Sequence, residues 1–76
     1  MAINAADARQ LAAVIISAYG EDCATVAAIL APLRAQWPTI DWMGELTTVA
    51  NQNAAFLASG LSIDWWLAEV DRRSLS

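Results

Sequence analysis

Helix-forming residues so dominate this chain that its few breaks decide the architecture. Around Gly20, Pro32, Pro38 and Gly60 the sequence is rich in Ala and Leu, and no apolar–polar alternation lasts long enough to build a strand. The expected fold is a compact all-α domain of four helices. It spans residues 1–76 as one domain, with the second helix kinked or split at Pro32.

Local signals place the helices. Asn4 is a good N-cap, Asp7 completes a capping box, and Gly20 is a natural terminator, so the first helix should cover Ala5 to Tyr19. From Leu11 to Tyr19 only Ser17 is polar, a pattern that belongs to a central helix or to one sandwiched in an oligomer. The second segment, Asp22 to Trp37, sets Val26, Leu30, Leu33 and Trp37 at helical spacing. Its other face is largely alanine (Ala24, Ala28, Ala31, Ala35), which lets another helix approach closely. The third helix is expected from Thr39 and the fourth from Ser62. Thr39-Ile40-Asp41-Trp42 matches Ser62-Ile63-Asp64-Trp65, and each tetrad reads as a hydroxyl N-cap followed by a carboxylate that the helix dipole favours.

Composition narrows function by exclusion. The chain has no His, no Lys and one cysteine, Cys23, so neither a disulfide framework nor a Cys/His metal site is expected. Two of the commonest proton-transfer groups are missing, and Cys23 has no neighbouring base to activate it. Glu21 and Asp22 read as a solvated helix start, not as a general acid/base pair. A non-enzymatic protein without cofactor, metal or small-molecule substrate is the expectation. A net charge of −4 and a pI near 4.2 disfavour nucleic acid, whose phosphates need a basic surface.

The residues are 58% hydrophobic and the mean hydropathy is +0.41, high for 76 residues with little interior. The apolar run Leu11 to Ile16, which no other exceeds, is far short of the ~20 residues of a membrane span. The first charge is Asp7, where a secretory signal would begin with a basic residue, so the reading is cytoplasmic. Self-association as a homodimer, or a complex with another protein, is then the expected way to cover surplus apolar surface.

Two positions stand out on helical wheels. In the third helix Trp42, Met43, Leu46, Val49, Ala50, Phe56 and Leu57 share one arc, and Asn53 falls in its middle, where a buried amide would specify register or oligomeric state. In the fourth, Ile63, Trp66, Leu67 and Val70 form the inward stripe. Trp65 points away from it, on the side of Glu69 and Arg72, which makes these three the candidate partner-binding residues.

Trp42-Met43-Gly44 resembles the Trp-x-Gly signature of the WXG100 secreted helical hairpins. That resemblance implies a turn between two long helices at this point. Length and acidity are also similar to those of acyl carrier proteins, but the Asp-Ser-Leu tripeptide that marks them does not occur. The leading expectation is an adaptor, regulator or inhibitor, encoded by a phage or mobile element, that occupies a host protein's surface. The alternatives are a self-assembling structural subunit or a secreted helical protein similar to the WXG100 family.

Overall fold

The computed structural model describes residues 2–75. Among them are five helices and no strand: α1 (Ala5–Tyr19), α2 (Cys23–Gln36), α3 (Trp42–Gln52), α4 (Ala54–Ala58) and α5 (Ile63–Ser74). The all-α class stands, and the expected count of four becomes five because the third helix breaks at Asn53.

The first two helices end and begin where local chemistry placed them. Asn4 accepts from the Asp7 N–H at 2.9 Å and the Asp7 carboxylate answers at the Asn4 N–H, closing the capping box. Gly20 ends α1 at φ 52°, a backbone conformation that disfavours side-chain-bearing residues, and its N–H donates to the Ile16 carbonyl. Asp22 caps α2 through the Thr25 N–H. The expected split at Pro32 is absent, since α2 continues through the proline to Gln36. Val26, Ala27 and Leu30 before Pro32 are buried, and Leu33 and Trp37 after it pack on the core, so tertiary burial on both sides holds the helix through its missing hydrogen bond.

The start of α3 departs from the reading of the tetrads. Its N-cap is Asp41, which accepts from the Gly44 N–H at 3.1 Å, so Thr39 lies outside the helix. At the matching tetrad Ser62 does cap α5, accepting from the Trp65 N–H. The two tryptophans consequently take different places: Trp42 is 2% exposed and Trp65 is 52% exposed. Trp42 is drawn inward at the first helical position, where its indole Nε1 donates to the Trp37 carbonyl across the preceding turn.

Two helix pairs carry most of the packing: α1 lies along α3, and α2 along α5. An ion pair links each. Arg9 grips Glu45 through two nitrogens, near the N-terminal ends of α1 and α3. Arg34 donates to Asp71 at 2.6 Å and to the buried Ser74 hydroxyl at 3.0 Å, near the C-terminal ends of α2 and α5. Members of each pair therefore run in the same direction, whereas consecutive long helices alternate, as short connections require. The shared core contains Ile15, Ile16, Val26, Leu30, Trp42, Leu46, Phe56, Trp66 and Val70. Phe56 and Trp66 meet edge to face with centroids 5.0 Å apart, a favoured aromatic arrangement.

Candidate interaction surface

α5 divides as its wheel requires. Trp66 and Val70 are fully buried, Ile63 and Leu67 pack against the core, and Trp65 lies on the opposite, solvent-facing side. Glu69 is held by both arginines of the last turn: Arg72 donates from Nε at 3.2 Å and from a terminal nitrogen at 2.5 Å, and Arg73 Nε approaches to 3.5 Å. The bond from Arg72 is the main reason that the Glu69 carboxyl titrates below its ordinary range. The structure thus sets Trp65, Glu69 and Arg72 on one helix, with Trp65 and Arg72 exposed, Glu69 half-buried and the charged pair prearranged.

Asn53 is placed differently from the wheel. It sits between α3 and α4 with an extended backbone (φ −97°, ψ 108°), capping α4 by accepting from the Phe56 N–H at 2.9 Å. The amide is half-buried and is not the mid-helix polar residue that the register argument required. The break also resets the helical phase. Phe56 stays in the core at 3% exposure while Leu57, expected beside it, is 50% exposed. A short polar residue after Gln52 was the available signal, because Asn competes for backbone N–H groups and favours caps.

The Trp-x-Gly tripeptide occupies the first turn of α3 and not a hairpin turn. A Cβ at Gly44 would overlap the Asp41 carboxylate that caps the helix, so a larger residue there makes that side chain shift.

Charge is distributed unevenly in a way that the linear sequence conceals. Arg9 lies in the second turn of α1, Arg34 in the last turn of α2, and Arg72 and Arg73 in the last turn of α5. All four therefore gather at one end of the bundle, and each approaches a carboxylate of the chain. The opposite end, built from the α1–α2 turn, α4 and the start of α5, holds Glu21, Asp22 and Asp64 with no arginine. Glu21, Asp22 and Asp64 are exposed. A groove of about 440 Å³ opens at this end between the last turn of α1 and the α3–α4 break. It is lined by Tyr19 and Glu21 from the end of α1 and the turn after it, and by Asn53 and Phe56 from the α3–α4 break.

Comparison with protein-family models, with curated proteins and with solved structures found no match. No helix among the described residues is long and apolar enough to cross a membrane.

Proposed function

We propose that this protein is a small non-enzymatic interaction module (an adaptor, regulator or inhibitor) that acts by covering part of a partner protein through the outer face of α5. The observation that carries this reading is the half-exposed Trp65 on the same helix as a prearranged Glu69–Arg72 pair. Burying an indole supplies much of an interface's affinity, and an arginine already held in place loses less side-chain freedom on docking. Trp65 also stands outside the core cluster, which Ile63, Trp66, Leu67 and Val70 join from α5.

Composition overstates how much large apolar surface the chain must hide. Most alanines are exposed, including Ala24, Ala28 and Ala35 of α2 and the three of α4, and each presents little more than a methyl group. The single chain exposes 4391 Å², against roughly 4,500 Å² for a compact protein of its mass. One observation favours the alternative of a homodimer or self-assembling subunit: Val14, on the outer face of α1, is 66% exposed.

Light scattering after size exclusion over a wide concentration range separates the two. A concentration-independent monomer, joined to a stable partner complex that Trp65→Ala or Arg72→Ala abolishes with melting unchanged, is the expected result. A dimer or growing assembly that Val14→Asp dissolves and Trp65→Ala leaves intact would overturn the α5 reading.

A further inference from the structure

The outer face of α5 says more about its partner than exposure alone. Trp65, Ala68 and Arg72 are spaced i, i+3, i+7, so they follow one another along one side of the helix, and all three are exposed. The small Ala68 leaves a notch between the two large side chains. Arg72 donates to Glu69 from Nε and Nη2, and among the described residues its Nη1 donates to nothing. With the side chain 66% exposed, one guanidinium donor stays open at the C-terminal end of this face. At the other end the Trp65 ring is open, with the exposed Asp64 in the same turn. An indole face beside a carboxylate attracts a cation, whereas an open guanidinium donor attracts a carboxylate. The face is therefore complementary to opposite charges two helical turns apart. A second copy of α5 would also set Arg72 over Trp65, but its two-fold axis would pass beside Ala68 and Glu69 and bring Glu69 against its own counterpart.

We propose that this face docks an amphipathic helix of a partner protein that runs antiparallel to α5. The partner carries Glu or Asp at position i against Arg72, an apolar residue at i+4 in the notch over Ala68, and Arg or Lys at i+7 across the Trp65 ring. The spacing follows from α5 itself, where Arg72 and Ala68 are four residues apart and Ala68 and Trp65 three. The direction follows from charge. An antiparallel partner has its carboxylate toward its own N-terminus and its cation toward its C-terminus, as the helix dipole favours, whereas a parallel one would need the reverse. The proposal rests on the reading of α5 as the docking face and adds the partner's chemistry to it.

The test is an amide- and indole-resolved NMR titration of the full chain with a capped, alanine-rich helical peptide carrying Glu, Leu and Arg at i, i+4 and i+7. Saturable shifts at the Trp65 indole and along residues 64–73 are expected. Replacing the peptide's Glu by Gln should weaken binding to the native chain about fivefold and leave binding to the Arg72→Gln variant unchanged. Replacing its Arg by Gln should likewise weaken binding to the native chain and make no difference to the Trp65→Leu variant. Each pair of peptides is compared on one protein, so a fold effect of either substitution does not imitate the coupling. Absence of coupling in either cycle, shifts centred on another element, or no saturable shift at millimolar peptide would each overturn the proposed partner. Shifts of α5 on concentrating the chain without peptide would overturn it in favour of a second copy. A partner complex that Trp65→Ala abolishes would still leave α5 standing as the docking face, so the two readings fail separately.

Discussion

Gly44 sits in the first turn of α3, where alanine would ordinarily stabilise a helix by about 1 kcal/mol. Here the added methyl overlaps the Asp41 carboxylate, so the cap must give way, and loss of such a cap costs about 1 kcal/mol with a range of roughly 0.5–2. Gly44→Ala is therefore expected to be neutral or destabilising in urea unfolding. In an Asp41→Ala background the same substitution should become stabilising, because nothing remains to collide with. Asn53→Ala should cost about 1 kcal/mol through the lost α4 cap, while leaving the oligomeric state as it was. A change of association state without that stability loss would restore the register role read from the wheel. Capping residues were legible in the sequence at Asn4 and Ser62, because a cap needs only its own next three residues. At α3 the cap is Asp41 and not Thr39, which sets Trp42 at the first helical position and in the core, a placement that depends on neighbours distant in the chain.

At the scale of elements, α2 carries an internal proline without breaking. Pro32 is exposed and cannot donate to the Ala28 carbonyl, so its place in the helix rests on the apolar contacts flanking it. Pro32→Ala restores that bond and removes a steric conflict together worth as much as ~3 kcal/mol, less ~1 kcal/mol because proline restrains the unfolded chain. A net gain of about 2 kcal/mol in unfolding free energy is expected, seen as a higher denaturant midpoint with an unchanged slope. A loss of stability would mean that the proline's shape is required by the packing. Local propensity marked Pro32 as a kink or a split, and the split does not occur, because apolar contacts on both sides hold α2 as one helix. The reverse happened at Asn53, where periodicity suggested continuity and a local cap prevailed. The pairing of α1 with α3 and α2 with α5 had no sequence signature, since it depends on which faces meet across the core.

At the scale of the whole molecule, two carboxylates titrate below their ordinary values and give acid stability a direction. Asp22 titrates below its ordinary 3.8, chiefly through the Thr25 hydroxyl at 2.7 Å and then the Thr25 N–H. Glu69 titrates below its ordinary 4.5 through Arg72. A group whose pKa is lower folded than unfolded adds stability that is complete above its unfolded value and disappears as pH falls through its folded value. Melting temperature should be flat from neutrality to about pH 5.5 and fall below about pH 4.5. Asp22→Asn and Glu69→Gln together should flatten that fall, and an unchanged acid profile would show that other carboxylates govern it. Arg9, raised by its bond to Glu45, stays charged throughout this range and contributes no slope.

The sequence by itself determined the helical class, the ends of α1, the start of α2 and α5, and the outward direction of Trp65. These depend on propensity, capping and the 3.6-residue period, all of which act within a few residues. The tertiary structure decided that α2 stays whole, that Asn53 divides one expected helix into two, and that the matching tryptophans part company. It also decided that four arginines scattered along the chain converge on one end. Helix direction and pairing set that polarity, and they follow from long-range packing of apolar faces, which no short stretch of sequence specifies.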